Sequence, residues 1–213
     1  ALQRTYANVH TEDDITGRSM TWLVHEAERI IKESVNAGPE GKVISAGFGS
    51  TAAIDKIQQI LGVMIPPATL RKIRQAYGRV KGASGTENAS GLTLLDNCCD
   101  RHPSEIASFE QLKKDLLAQL GDSAPVVFIG PYEHHSNEIT WRAGLAEVVR
   151  IGLDKEGGID LAELEERLCE PAWKGRRLIG SFSAASNVTG VKTPVHEIAR
   201  ILHRAGASAF FDY

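Results

Sequence analysis

Cysteine is scarce, with only Cys98, Cys99 and Cys169 in 213 residues. They form no CxxC pair and no even-numbered framework. That sets aside a disulfide-stapled secreted scaffold and points to a reducing, cytoplasmic compartment. The adjacent Cys98 and Cys99 read as small buried or half-buried thiols, because a metal site needs further ligands at spacings the chain does not offer. Long apolar runs are missing too. None approaches the roughly 20 residues that cross a bilayer, and no signal-peptide pattern opens the chain, so no membrane partner is expected. A net charge of -3 gives no sign of a nucleic-acid or anionic-membrane partner. Internal repeats and low-complexity segments are absent. What is present is ordinary globular composition, 42% hydrophobic and 24% charged, enough for one sizeable core. The chain opens at Ala1 and stops at Tyr213, one residue past a buried-looking strand, and reads as truncated at both ends.

Apolar spacing predicts the elements. Residues Met20 to Val35 show a helical period after an irregular polar stretch, Tyr6 to Ile15. Lys42–Phe48 reads as a short buried strand running into Gly49-Ser50-Thr51, and Ala53, Ile54, Ile57, Ile60 and Leu61 continue as a helix. A second helix is expected near Pro66–Tyr77, a Gly/Ser-rich loop over 81–90, and a helix opened by the capping-box signature Ser108-Phe109-Glu110-Gln111. Val126–Gly130, Val148–Leu153, Leu178–Phe182 and Ala207–Phe211 read as strands. Helices are expected from Asp160 and between the last two strands, the latter with Thr193 as N-cap, Pro194 at the first helical position and Gly206 just past the end. Strand, crossover helix and strand make a right-handed βαβ unit. The fold class expected is α/β, a three-layer αβα sandwich with a mainly parallel sheet.

Such sheets bind ligands beyond the carboxyl ends of their strands. The turn Gly49-Ser50-Thr51 opens a helix there, so backbone N–H groups, two hydroxyls and the positive end of the helix dipole converge on an anion site. It is not a P-loop, having no Lys after the glycine turn; a plain N-cap is the simpler reading of Ser-Thr alone. Val126–Gly130 delivers Glu133-His134-His135-Ser136-Asn137. These residues admit a surface loop, a metal site without HExxH spacing, or an imidazole facing a planar cofactor as stacking partner and proton shuttle. Asn187 and Asp212 sit at the same edge. A phosphate cradle, an imidazole, an amide and a carboxylate together meet the needs of pyridoxal 5'-phosphate. Its phosphate wants a helix N-terminus, its ring face an aromatic partner, its ring oxygen a donor and its pyridine nitrogen an anion. Pairing with the pyridinium is what keeps Asp212 ionised against desolvation.

The chain resembles the class V aminotransferase group of pyridoxal-phosphate enzymes with fold-type I architecture, and within it the cysteine desulfurases and selenocysteine lyases. The resemblance runs through Tyr6-Ala7-Asn8-Val9-His10, Gly49-Ser50-Thr51-Ala52-Ala53-Ile54, Glu133-His134-His135-Ser136-Asn137 with Trp141, Ser186-Asn187-Val188-Thr189-Gly190 with Pro194, and Phe211-Asp212. It implies that Gly49, Ser50 and Thr51 bind phosphate, His134 stacks on the ring, Asn187 donates to the ring oxygen and Asp212 pairs with the ring nitrogen. His10 is placed near the active-site mouth. It further implies an amino-acid substrate, a homodimer, and a sulfur-acceptor protein as a further partner.

Several features depart from the family pattern. Ala52 stands where the family usually has Glu, and Tyr213 where a small residue is usual. Residues 65–122 form a longer link than the family's and read as an insertion or lid. No lysine matches the one that bonds the cofactor. That residue falls beyond Tyr213, and Lys192 reads as a solvated charge. The chain is therefore expected to be an incomplete large domain, 1–213, without the small C-terminal domain, and inactive by itself. Two other readings stay open: a metal-dependent hydrolase using Glu133, His134, His135 and Asp212, and a non-catalytic remnant of the fold.

Overall fold

The computed structural model describes residues 6–10, 12–80 and 103–213. Cys98, Cys99, the Gly/Ser-rich stretch 81–90 and the middle of the expected insertion lie outside them. The chain divides into two compact units, Ala1–Ala46 and Gly47–Tyr213.

The first unit is built on helix α1, Ile15–Ser34. It starts earlier than the apolar period suggests because Asp14 caps it: its carboxylate accepts from the Gly17 N–H and the Thr16 hydroxyl, both at 2.6 Å. Arg29 bridges Glu26 and Glu33 along the exposed face. Such solvated pairs contribute little stability.

Lys42–Phe48 forms no strand. Ile44 is 60% and Phe48 96% exposed and Val43 is only half-buried, so the apolar run buries too little to hold an extended segment in place. The chain also turns at Gly47 and Gly49, whose φ values of 68° and 63° interrupt extension in a region that L side chains rarely enter.

In the second unit, helix α2 (Gly49–Leu61) is followed by α3 (Pro67–Val80) and α4 (Pro103–Leu120). Helix α4 begins ahead of the expected capping box, which lies within it. Then come β1 (Val126–Ile129), α5 (His135–Ala143), β2 (Glu147–Arg150), α6 (Leu161–Leu168), β3 (Leu178–Ser183), α7 (Val195–Arg204) and β4 (Ser208–Asp212). The sheet order is β2-β1-β3-β4 and every pairing is parallel, as the α/β reading requires.

Strand alternation sorts the core into two layers. Val126, Phe128 and Phe182 face α6 and α7, packing with Leu164, Ile198 and Leu202. Val127, Ile129 and Ile179 face the opposite way, onto Trp141 of α5 and Val63, with Ile57 and Leu61 of α2 against them. Helices therefore cover both faces, giving three layers. Asp160 caps α6 as expected, accepting from the Glu163 N–H at 3.0 Å. Thr193 does not cap α7. Its hydroxyl instead donates to the Ser183 carbonyl at 2.5 Å, and Pro194 takes the cap position.

Helix α7 crosses β3 at Gly180, where a Cβ would come 2.3 Å from Leu202 Cδ1. Leu202 is fully buried and has nowhere to move. Gly180→Ala should cost about 1–3 kcal/mol by overpacking, and the cost should shrink in a Leu202→Ala background. Urea unfolding of the two single variants and the double variant measures that coupling; strictly additive costs would contradict the packing described.

Candidate functional site

Parallel pairing brings the ends of β1, β3 and β4 to one edge. Ser183 and Asp212 are register partners, so their side chains leave the sheet on the same face, that of Trp141 and Asn137. There a cavity of about 210 Å³ lies between β4, α5 and α2. Ser50, Asn137, Trp141, Ser181, Phe210 and Asp212 are among its walls. A larger open groove, about 910 Å³, runs between α6 and α7 and holds none of the predicted residues.

Asp212 is half-buried, and among the described residues no side chain donates to its carboxylate. Its backbone carbonyl accepts from the Ala184 N–H at 2.7 Å. Ser50 stands in the first turn of α2 and donates to the Tyr213 carbonyl at 3.4 Å. Phe48, at the cap position of α2, gives its amides no side-chain acceptor. Among the described residues nothing accepts from the first-turn N–H groups at the positive end of the helix, which suits an anion. Gly49 and Thr51 are exposed on either side of Ser50.

The structure thus brings Ser50 and Asp212 together in one cavity. His134 and Asn187 stand on the same sheet edge but outside that cavity's lining. His134 is exposed and caps α5; its Nδ1 accepts from the Ser136 N–H at 3.3 Å and lies 2.7 Å from the Ser136 hydroxyl. With Nδ1 accepting, the neutral imidazole carries its proton on Nε2. His135 lies 6.1 Å away, ring centre to ring centre. Asn187 is exposed in a turn held by the buried Ser186, whose hydroxyl accepts from the Val188 and Thr189 N–H groups.

Reading the sequence missed the polar network beneath these residues. Glu133 Oε2 accepts from the Asn137 amide at 2.7 Å, the Ser183 hydroxyl at 2.7 Å and the Ser183 N–H at 2.8 Å. Its Oε1 accepts from the Gly130 N–H at 3.0 Å. Asn137 Oδ1 in turn accepts from the Ser181 hydroxyl at 2.6 Å and the Trp141 indole at 3.1 Å. Two signals were in the sequence: the i, i+4, i+8 spacing of Glu133, Asn137 and Trp141, and the alternating Ser181 and Ser183 in an otherwise apolar strand. Burial pushes the Glu133 carboxyl above the ordinary glutamate range, outweighing the hydrogen bonds that pull it down. Among the described residues no three His, Cys, Asp or Glu side chains gather as metal ligands.

Residues 108–213 match the Aminotransferase class-V family. A protein of Halalkalibacterium halodurans named "Probable cysteine desulfurase" is 37% identical over 99 residues, 45% of this chain and 23% of that protein. An L-aspartate decarboxylase of Metarhizium robertsii is 26% identical over 223 residues, 97% of this chain and 44% of that protein. Among solved structures, the cysteine desulfurase CsdA from Escherichia coli aligns at a TM-score of 0.35 and 16% identity, covering 71% of this chain and 43% of that one. The chain spans less than half the length of each of these relatives.

Because folding raises the Glu133 value above 4.5, the fold favours its protonated form. That contribution is full below the ordinary value and is lost as pH rises through the folded one. The stability of the wild type minus that of Glu133→Gln should therefore fall as pH rises from 4.5 and then level off. Urea unfolding from about pH 4 to pH 8 measures it, and a difference that grows across that window would contradict the burial argument.

Proposed function

The chain belongs, through residues 108–213, to the aminotransferase class-V family, and from that premise we propose that it forms the cofactor-binding part of a pyridoxal-phosphate-dependent enzyme acting on an amino acid. The observation that carries this reading is the half-buried Asp212 carboxylate, with no side-chain donor among the described residues, sharing a cavity with Ser50 at the uncapped start of α2. That donor set fits the group: an anion for a ring N–H at one end, open amides and hydroxyls for a phosphate at the other. When bound, pyridoxal phosphate supplies an electron-accepting ring for a bond broken at the substrate's Cα or Cβ.

The residues of this chain hold and orient. Asp212 would accept from the ring nitrogen. Gly49, Ser50 and Thr51 receive the phosphate. His134 would serve as the ring's aromatic partner, holding a proton at Nε2, and Asn187 would donate to the ring oxygen. We assign a homodimer and, for sulfur transfer, an acceptor protein as partners.

Cleavage of a Cβ–S or Cβ–Se bond is the first reading of the reaction, on the identity shared with the cysteine desulfurase relatives. Loss of the Cα carboxylate is the second, favoured by the alignment to the L-aspartate decarboxylase, which takes in 97% of this chain. Transamination uses the same cradle.

Titrating the full-length protein with pyridoxal phosphate should quench the fluorescence of Trp141, which lines the cavity. Asp212→Ala should weaken binding by at least about tenfold, the loss of one charge-assisted hydrogen bond. Unchanged binding in that variant would sink Asp212's role, and no binding by the wild type would sink the cofactor reading. Sulfide release from L-cysteine against carbon dioxide release from L-aspartate separates the two reactions.

A further inference from the structure

We infer that Glu133 is the positioning residue of this site: its carboxylate clasps the carboxyl ends of β1 and β3 together, and so sets His134 and Asp212. The inference rests on the cofactor reading for its purpose, though the clasp itself is geometric.

Four donors meet the carboxylate from three places. The Gly130 N–H comes from the end of β1, the Asn137 amide from α5, and the N–H and hydroxyl of Ser183 from the end of β3, 50 residues away in sequence. Backbone N–H and amide N–H can only donate, so both oxygens of Glu133 serve here as acceptors. The fit is close: a Cβ on Gly130 would come 2.5 Å from Glu133 Oε1.

From Ser183 the constraint travels in two directions. The next residue, Ala184, donates its N–H to the Asp212 carbonyl at 2.7 Å, which fixes the end of β4. The Ser183 carbonyl accepts from Thr193 Oγ1 at 2.5 Å, and that oxygen lies 3.3 Å from the Tyr132 hydroxyl, a second stitch from the loop after β1. On the other side Glu133 is bonded directly to His134, so the clasp sets where the exposed imidazole leaves the sheet edge. Asn137 carries it further, to Ser181 and Trp141 in the cavity wall. Glu133 lines none of that cavity and acts through its neighbours.

Glu133→Ala in the full-length protein tests this. In the unliganded variant, amide hydrogen exchange at Gly130, Ser183 and Ala184 should quicken by about tenfold or more, while Phe128 and Ile179 inside the strands keep wild-type rates. Affinity for pyridoxal phosphate per folded molecule should drop by about tenfold, with a changed circular dichroism band for the bound cofactor. Gly130→Ala keeps the carboxylate but pushes on Oε1, and should reproduce the same local pattern should Glu133→Ala fail to fold. Exchange that is unchanged at the three amides, or that quickens uniformly through all strands with affinity intact, would overturn the proposal. Local quickening with no cofactor binding even in the wild type would keep the clasp and sink the cofactor reading instead.

Discussion

Parallel pairing of β1, β3 and β4 is the constraint on which the site depends. Each strand in such a sheet ends at the same edge, so every loop that follows a strand starts from one line. The registers Ile129↔Ser181 and Ser183↔Asp212 are what bring Glu133, Asn137 and Asp212 to one face, although the first and last are far apart in sequence. Slipping either pairing by one residue would turn the Ser and Asp side chains to the opposite layer, against Leu202 and Ile198. The apolar packing on each face specifies that register. The core therefore places the polar groups of the site.

Polarity enters this core only as complete hydrogen-bonded sets. Asn137, Ser181 and Ser183 are buried, and each spends its polar atoms on another member of the network. Among the described residues no buried side-chain nitrogen or oxygen lacks a partner. A buried group left unpaired costs more than a pair gains, so a network of this kind resists piecemeal change. Asp212 differs, as a half-buried carboxylate without a side-chain donor among the described residues. Placed at the end of an otherwise satisfied network, it is the group with capacity to spare for a ligand.

Much of this was legible in the sequence because it follows from local chemistry. Short apolar runs closed by Gly or polar residues marked β1, β3 and β4, and the crossover helix between the last two dictated parallel pairing. Lys42–Phe48 misled because an apolar run records the means to be buried, while burial itself needs a neighbouring strand. Thr193 misled because a residue suited to capping took a tertiary bond to Ser183 instead, as short hydroxyl side chains can. Glu133 was weighed only as a metal ligand beside the adjacent histidines, not as the centre of a hydrogen-bonded network. Its partners come from β1, α5 and β3, and no sequence spacing announces a hydrogen bond between residues 133 and 183. The placement of Ser50 beside Asp212 was of the same long-range kind, but the glycine turn opening a helix at Ser50 and the apolar run ending at Asp212 made it foreseeable.

On the proposed reading, Asp212 serves as the anion for a cofactor ring nitrogen. Nitrogen-15 NMR of the full-length protein loaded with ring-labelled pyridoxal phosphate tests it most directly. The resonance position of a protonated pyridine is expected, moving to that of a neutral ring in Asp212→Asn. A neutral ring nitrogen in the wild type, or a signal indifferent to that substitution, would contradict it.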